Sequence, residues 1–366
     1  PTPNFTLVNP INCVPFSTAV NNSSTALNTC SVASTWSVLY NGSTCLPSAG
    51  TWNFSGGTTA TSAQPEIQFV SPGTYTVRLT QVNSCGTFLF NQSATGQSVP
   101  KITLNTLAPI CAGTSVTPIA TVNNCYESVD SYNWTLTGGV PSSSTLANPG
   151  PVLYPTAGSY TVSLQATNGC GTTSVNTPLA VFSPPIANAG NDVQFCSGGN
   201  SSIGSASTAG VSYSWSPSIG LTSGTAANPT VTLANLTASP VVYTYVVTAT
   251  TTPGCFTKDT VLVTVNPNPV LTVNSPTICF GQTASLLVDG AGVGGTYNWN
   301  SSPSPSCLNC PNPTASPAST TMYTVIGTNT YGCTTTITST VTVNALPLTN
   351  AGLDNTICLG SSATLT

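Results

Sequence analysis

The chain has 366 residues, of which only three are basic and seven acidic, and it contains no histidine. Three cations cannot neutralise several phosphates, which excludes a nucleic-acid-binding surface, and the lack of histidine excludes Ser-His and Cys-His catalytic pairs. The apolar fraction of 39% is ordinary for a folded chain, which excludes the disordered class, whose members combine high charge with few apolar residues.

Cysteine is frequent, with 14 copies in the chain. Cysteines at recurring positions, without histidine, are typical of disulfide-bonded extracellular proteins and not of metal or redox sites in the cytosol. The sequence has no apolar run of about 18 residues, the length that favours a membrane-spanning helix. We therefore expect an extracellular, cell-surface protein with no membrane insertion in this segment, whose secretion signal and anchor lie outside it.

A repeat divides the chain. The sequence Thr-Ile-Cys-Phe-Gly at 277–281 returns almost unchanged at 356–360, and cysteines in similar contexts recur about every 80 to 100 residues. We call these the opening cysteines: Cys13, Cys111, Cys196, Cys279 and Cys358. The repeat predicts modules at 1–105 with an insertion at 26–50, 106–183, 184–267 and 268–345, and the start of a fifth at 346–366. Because the fifth copy is only begun, we expect a longer protein.

Each module predicts the same elements in the same order. Runs of alternating apolar and hydroxyl residues, broken by Pro, Gly and Asn, are typical of β-strands. A tryptophan strand comes first, then a Tyr-Thr-Val strand, then a cysteine; the tryptophans are Trp52, Trp134, Trp215 and Trp299, and the tyrosines are Tyr75, Tyr160, Tyr245 and Tyr323. This order predicts an all-β fold of immunoglobulin-like sandwiches. Short proline-bearing linkers stiffen the joints, so we expect the sandwiches to form an elongated rod.

Several short motifs carry a family resemblance. They are Asn-Ala-Gly-x-Asp at 188–192 and 350–354, Tyr-x-Trp-x-Pro at 213–217, and Gly-Cys at 254–255 and 332–333. The chain resembles the PKD-like and Ig-like tandem repeats of giant Bacteroidota cell-surface proteins, including the SprB-type gliding-motility adhesins exported by the type 9 secretion system. Residues 51–57 stand where PKD modules often have Trp-Asp-Phe-Gly-Asp-Gly, but both acidic residues are absent, so no calcium role follows there.

The resemblance implies a fold and a function. The expected fold is a rod of tandem Ig/PKD-like β-sandwiches, and the expected function is a structural stalk segment of a large secreted adhesin, in gliding motility or surface attachment. Its partners would be other modules of the same chain, and surface polysaccharide or the secretion and motility machinery. The alternative is a set of spacer or glycan-binding modules in a large secreted hydrolase or peptidase. An assembled filament subunit is a third reading.

Disulfides are the strongest site prediction. If the chain start and the loop before the last strand lie at the same pole of a sandwich, Cys196 can bond Cys255 and Cys279 can bond Cys333. In the second module, Cys111 and Cys125 compete for Cys170, and we favour Cys125. For the first module we favour the pairs Cys13–Cys85 and Cys30–Cys45.

The fourth module adds a Cys-x-x-Cys motif, Cys307 and Cys310. Together with Cys279 and Cys333 it could supply four zinc ligands. The extracellular setting favours a structural disulfide instead.

Two further predictions concern ligands. Trp36 and Tyr40 fall outside the repeat frame, in the insertion, and are candidates for a ligand-facing patch; the competing interpretation is simple packing of the extra hairpin. Asp192 and Asp354 each precede an opening cysteine by four residues. They are weak candidates for calcium ligands at the joints, against the alternative that each caps its own turn.

The sequence offers few side chains that could act in catalysis. The seven carboxylates are spread at about one or two per module, and the closest pair, Glu127 and Asp130, is more typical of a solvated turn than of a glycosidase site. The sequence therefore predicts a protein that is not an enzyme and needs no cofactor.

Overall fold

The computed structural model describes residues 1–25, 31–45, 50–301, 303–350, 352 and 356–364. These residues form 31 β-strands arranged in small sheets, and none of them lies in a helix that could cross a membrane. The chain divides into two compact units: Pro1–Pro184 with Thr252–Cys255, and Pro185–Thr251 with Phe256–Thr366. Four separate hydrophobic cores, two in each unit, confirm the predicted all-β fold of tandem sandwiches.

The first sandwich has eight strands: β1 (Phe5–Leu7), β2 (Ile11–Cys13), β3 (Phe16–Asn22), β4 (Ala33–Gly42), β5 (Trp52–Ser55), β6 (Glu66–Phe69), β7 (Gly73–Asn83) and β8 (Gly86–Gln97). They form two four-stranded sheets, ordered β1-β3-β6-β5 and β2-β8-β7-β4. Alternate side chains of β7 are buried, as expected for a strand with one face on the core. Aromatic side chains fill that core, with Trp36, Phe69 and Tyr75 all fully or almost fully buried.

The second sandwich has nine strands: β9 (Lys101–Leu104), β10 (Ile110–Cys111), β11 (Thr114–Val116), β12 (Ala120–Asn123), β13 (Val129–Leu136), β14 (Ser143–Ser144), β15 (Val152–Tyr154), β16 (Gly158–Asn168) and β17 (Gly171–Phe182). The main sheet is ordered β10-β17-β16-β13-β14, and β9 with β12 and β11 with β15 form two smaller ones. The core surrounds Trp134, Tyr154 and Leu164, which have no exposed surface.

Strand β9 lies within residues 1–105, the range predicted for the first module. It pairs with β12, and its Ile102 packs into the second core. The first sandwich already ends at Gln97, because β8 is its last strand, and Pro100 separates β8 from β9. The structure therefore assigns β9 to the second sandwich.

The third sandwich has six strands: β18 (Val193–Cys196), β19 (Asn200–Ser202), β20 (Val211–Ser216), β21 (Thr230–Thr232), β22 (Val241–Thr251) and β23 (Cys255–Asn266). Its sheets are β18-β23-β22-β20 and β19-β21. Trp215 and Tyr245 are the large aromatic side chains of its core.

The fourth sandwich has eight strands: β24 (Thr272–Val273), β25 (Thr277–Cys279), β26 (Ala284–Ser285), β27 (Val288–Asp289), β28 (Thr296–Asn300), β29 (Thr314–Ala315), β30 (Thr321–Thr328) and β31 (Thr334–Asn344). Its sheets are β25-β31-β30-β28, β24-β27 and β26-β29. Trp299 and Tyr323 are buried in its core.

One tryptophan occupies the same place in every sandwich. It lies on the strand that pairs antiparallel with the first strand of the last hairpin, and its indole N–H donates to a backbone carbonyl 11 to 26 residues further along the chain: Trp36 to Ser62, Trp134 to Leu146, Trp215 to Ala226 and Trp299 to Cys310. In the first sandwich this residue is Trp36, not the predicted Trp52. Trp52 lies half-buried on β5 of the other sheet.

Candidate functional site: disulfide junctions between sandwiches

Each of the first four opening cysteines ends a short strand that runs parallel to the last strand of its own sandwich. The partners across this pairing are the last residues of the last strands: Cys13 with Gln97, Cys111 with Phe182, Cys196 with Asn266 and Cys279 with Asn344. In all four sandwiches the residue after the cysteine donates its backbone N–H to the carbonyl of that same partner, at 2.8 to 3.0 Å. The opening cysteines therefore occupy one repeated position at one end of each sandwich.

A second cysteine sits at the tip of the hairpin that joins the last two strands. We call these the hairpin cysteines: Cys85, Cys170, Cys255 and Cys333. In the first two sandwiches the hairpin has the sequence Asn-x-Cys-Gly, and the asparagine Oδ1 accepts the backbone N–H of the cysteine, at 2.9 Å for Cys85 and 3.0 Å for Cys170. The glycine that follows has φ of 137° or 131°, a conformation that glycine adopts without a steric cost.

The two cysteines of one sandwich are too far apart to bond each other. The last strand runs from the hairpin to the residue beside the opening cysteine, and β8 alone has 12 residues. At about 3.3 Å per residue, this places Cys85 and Cys13 roughly 35 to 40 Å apart. A disulfide needs Cα atoms within about 7 Å. The predicted pairs Cys13–Cys85, Cys196–Cys255 and Cys279–Cys333 are therefore wrong, because the two cysteines lie at opposite poles.

The structure pairs three of the opening cysteines with the hairpin cysteine of the next sandwich. The bonds are Cys13–Cys170, Cys111–Cys255 and Cys196–Cys333, each with Cα atoms 5.5 Å apart. We call these three the junction disulfides. The predicted pair Cys125–Cys170 is also wrong, since Cys170 bonds Cys13, and Cys111 is not left over.

A hydrogen bond accompanies two of these disulfides. The side-chain amide of Asn168 donates to the carbonyl of Ser98 at 2.8 Å, and that of Asn329 donates to the carbonyl of Pro267 at 2.8 Å. Ser98 and Pro267 hold equivalent places, each directly after the last strand of the preceding sandwich. One asparagine thus orders its own hairpin and binds the end of the neighbouring sandwich.

A further disulfide links the first two sandwiches at another point. Cys45 bonds Cys125, again with Cα atoms 5.5 Å apart. The hydroxyl of Tyr126 accepts the backbone N–H of Thr44 at 3.2 Å, and the side-chain amide of Asn123 donates to the Thr44 carbonyl at 3.0 Å. Because Cys45 has this partner, the predicted pair Cys30–Cys45 is wrong; Cys30 itself lies outside the described residues.

Three described cysteines keep free thiols: Cys85, Cys279 and Cys358, all exposed. The first two were predicted to be bonded. Both hold positions that carry a disulfide elsewhere in the chain, Cys85 at a hairpin tip and Cys279 at the end of an opening strand.

Cys307 and Cys310 bond each other across two residues. This loop is held against the fourth core, because Trp299 donates its backbone N–H to the Leu308 carbonyl at 2.7 Å and its indole N–H to the Cys310 carbonyl at 3.0 Å. Within the described residues, no group of three or more His, Cys, Asp or Glu side chains could hold a metal ion. The loop supports the strand that carries the core tryptophan.

The predicted ligand-facing pair faces the core instead. Trp36 is only 2% exposed and packs edge-on against Phe5, with ring centroids 4.8 Å apart. Tyr40 is half-buried, with its ring centroid 5.2 Å from that of Tyr75. The prediction is wrong because residues 33–42 form a core strand, β4, and not an inserted hairpin.

The calcium candidates also have a structural interpretation. Oδ1 of Asp192 accepts the backbone N–H of Leu262 at 2.8 Å, so this carboxylate ties the start of β18 to β23. Asp259 does the same nearby, accepting the N–H of Ala189 at 2.8 Å. Asp354 lies outside the described residues.

Four buried tyrosines have raised pKa values. Burial, together with the neighbouring Tyr40, raises the pKa of Tyr75 to about 12. Burial likewise raises the pKa of Tyr154, Tyr245 and Tyr323. All four are core residues, and their raised pKa values bear on stability at alkaline pH.

No protein-family model matches the chain, and no curated protein matches it. Among solved structures, the titin I-band fragment is 15% identical with a TM-score of 0.42, covering 68% of this chain and 100% of that one. The N-terminal eight Ig domains of Down Syndrome Cell Adhesion Molecule are 13% identical with a TM-score of 0.36, covering 94% and 50%. The insect immune protein hemolin is 12% identical with a TM-score of 0.26, covering 94% and 100%. The likeness concerns the fold alone.

Proposed function

We propose that this chain is a stalk segment of a large secreted cell-surface adhesin, whose task is to carry force between an attachment point and a distant binding region. The junction disulfides carry this proposal. They join each sandwich to the next by a covalent bond that adds to the peptide linker. A disulfide inside a sandwich would stabilise that sandwich alone, whereas a disulfide between sandwiches limits how far they can separate under tension.

The surface fits a stalk better than a binding or catalytic module. Only ten of the 366 residues are charged, so the surface provides little electrostatic steering toward a partner. Two carboxylates, Asp192 and Asp259, accept hydrogen bonds from backbone N–H groups of their own sandwich. We therefore assign no enzymatic role to this chain, and we expect it to need no cofactor.

The disulfides also indicate the cellular compartment in which we expect the protein. Five disulfides in the described residues require an oxidising environment to form and persist. The repeats resemble those of SprB-type gliding-motility adhesins, and we extend the proposal to that setting. The segment would be exported by the type 9 secretion system, held at the cell surface, and loaded by the motility machinery or by attachment to surface polysaccharide.

A cell-display experiment tests the stalk function. The chain is placed between a surface anchor and a terminal domain that binds an immobilised ligand, and cells are exposed to increasing flow. At equal surface density, cells displaying the natural chain should detach at higher flow than cells displaying the triple variant C170S, C255S, C333S. A chain displayed without the terminal domain serves as the control and should not attach.

Two results would overturn the proposal. Equal detachment of natural and triple-variant cells would show that the junction disulfides carry no load. Attachment of the chain without its terminal domain to a polysaccharide-coated surface would replace the stalk with a glycan-binding module.

A further inference from the structure

The joint between the first two sandwiches, which we call the first joint, is held at both edges of a sheet. In the sheet order β2-β8-β7-β4, Cys13 ends one edge strand and Cys45 lies three residues beyond the other. Three strand intervals of about 4.8 Å each place the two edges about 14 Å apart. Both cysteines bond the second sandwich, at Cys170 and Cys125, and the peptide linker leaves from β8 between them. Three covalent connections therefore span the width of the first joint.

Hydrogen bonds reinforce the first joint at the loop before β13, residues 124–128. The side-chain amide of Gln97 donates to the Tyr126 carbonyl at 2.9 Å, and the backbone N–H of Ser98 donates to the Cys125 carbonyl at 3.2 Å. These bonds add to those that Thr44 makes with the same part of the second sandwich. The loop is thus attached to the first sandwich along its length.

The joint between the third and fourth sandwiches, which we call the third joint, lies within one compact unit and is held at one edge only. In the sheet order β18-β23-β22-β20, Cys196 ends the edge strand β18, and the linker leaves from the adjacent strand β23. These two strands are about 4.8 Å apart. Among the described residues, no disulfide or hydrogen bond joins the β22 and β20 side of this pole to the fourth sandwich. The linker and Cys196–Cys333 therefore share one narrow edge.

A groove lies on the side of the third joint that is not held. It has a volume of about 430 Å³, it is lined by the loop before β22, the linker and the glycine-rich loop before β28, and no lining residue is charged. Leu236 of the first loop is 96% exposed, and Val293 of the glycine-rich loop is 99% exposed. The glycine-rich loop is the counterpart of residues 124–128, because both precede the core tryptophan strand. At the third joint, open space takes the place of the contacts that this loop makes at the first.

We propose that the third joint is a hinge that tilts about the edge carrying Cys196–Cys333 and closes the groove, whereas the first joint is fixed. Closure buries apolar side chains of both sandwiches, which is favourable, and the uncharged lining opposes it with no repulsion. A chain with both kinds of joint bends at defined places without breaking a covalent bond. The inference rests on the widths of the two joints and not on the proposed stalk function.

Distances across the two joints test the hinge in the whole, disulfide-bonded chain. Spin labels on unnatural amino acids, which need no thiol, are placed at exposed positions six residues before the end of each last strand: Asn91 with Asn176, and Thr260 with Thr338. For equal play in the contacts, a base of about 4.8 Å allows about three times the tilt of a base of about 14 Å. Pulsed electron–electron double resonance should therefore give a distance distribution about three-fold wider across the third joint than across the first. Equal widths would overturn the proposal without the use of any other variant.

A pair of double variants tests the cause of the difference. C45S, C125S removes the connection at the β4 edge, so the distribution across the first joint should widen about three-fold, to that of the third. The matched control C307S, C310S removes a disulfide that spans no joint and should leave both widths unchanged. A first joint that stays narrow without Cys45 and Cys125 would also overturn the proposal.

A last variant tests closure of the groove. L236K, V293K places like charges on its two sides, at side chains too exposed to support a core. Their repulsion disfavours closure, so the distribution across the third joint should narrow, more strongly at low salt, while L236Q, V293Q should keep the natural width. A distribution that the two lysines leave unchanged would contradict closure and overturn the hinge. None of these results bears on the flow experiment, which tests whether the junction disulfides carry load.

Discussion

Pulling the chain by its ends distinguishes the two possible disulfide patterns by length alone. When every sandwich is unfolded by force, the extension is limited by the shortest covalent path between the handles. With the junction disulfides, this path runs from Pro1 to Cys13, crosses to Cys170, follows the chain to Cys196, crosses to Cys333 and continues to Thr366. It contains about 71 residues, which at about 3.4 Å each, plus two bridges, gives an extension of about 250 Å.

Disulfides within sandwiches would give a different value. Pairing Cys13 with Cys85, Cys125 with Cys170, Cys196 with Cys255 and Cys279 with Cys333 leaves a path of about 135 residues, or about 480 Å including four bridges. The reduced chain has no disulfide to shorten the covalent path, so it extends to about 1,240 Å. The three states therefore differ by factors of about two or more.

The assay is single-molecule force spectroscopy with peptide handles at both ends, so that no thiol is used for attachment. The oxidised natural chain should stop extending at about 250 Å. The same molecule should reach about 1,240 Å after reduction, and the triple variant C170S, C255S, C333S should also extend well beyond the oxidised natural chain without reductant. A limit near 480 Å for the oxidised chain would refute the junction pairing.

Three further predictions follow from the cores. Tyr154 and Tyr323 have hydroxyls with no hydrogen-bond partner among the described residues. Replacing either by phenylalanine should therefore leave the free energy of unfolding, measured in urea titrations, unchanged or raise it by up to about 1 kcal/mol. Tyr245→Phe loses a 2.6 Å hydrogen bond to the Ile219 carbonyl and should lower that free energy by about 1 kcal/mol. Trp36→Ala should destabilise the first sandwich by about 3 to 5 kcal/mol, and Trp52→Ala by less than about 2 kcal/mol; equal effects would contradict the core assignment. Because the pKa of Tyr75 is raised to about 12 in the folded chain from about 10 when unfolded, its contribution to stability is complete below about pH 10 and is lost as the pH rises toward 12; tyrosinate absorbance should show a late phase that coincides with unfolding, and a single early phase would contradict it.

Much of the fold could be predicted from the sequence. Hydroxyl and apolar residues alternate with a period of two along β7 and β16, which specifies strands with one buried face. Trp134, Trp215 and Trp299 lie on core strands as predicted. The prediction failed in the first sandwich because more residues separate Trp36 from β6 than separate Trp134 from β15, the strand in the equivalent place of the second sandwich. Trp52 therefore matched the repeat spacing better than Trp36, which holds the core position.

The disulfide partners could not be predicted from spacing. When cysteines repeat with a period of about 80 residues, pairing within a sandwich and pairing with the next sandwich both join an opening cysteine to a hairpin cysteine, so the repeat alone does not distinguish them. The deciding fact is that β2 runs parallel to β8 and ends beside Gln97, at the pole opposite Cys85. One signal was available: an asparagine precedes Cys85 and Cys170 by two residues and Cys333 by four. The side-chain amides of Asn168 and Asn329 donate to carbonyls of the preceding sandwich, a contact that the spacing alone does not specify.

The offset pairing divides tension between two covalent paths. One path passes through Cys13–Cys170 and Cys196–Cys333 and includes β17, the last strand of the second sandwich. The other passes through Cys111–Cys255 and includes β8 and β23, the last strands of the first and third. The second path begins at Cys85 and ends at Cys279, the two thiols that are free in the isolated chain. Bonding both to neighbouring sandwiches would complete it, and a break in either path would then leave the other to carry the load.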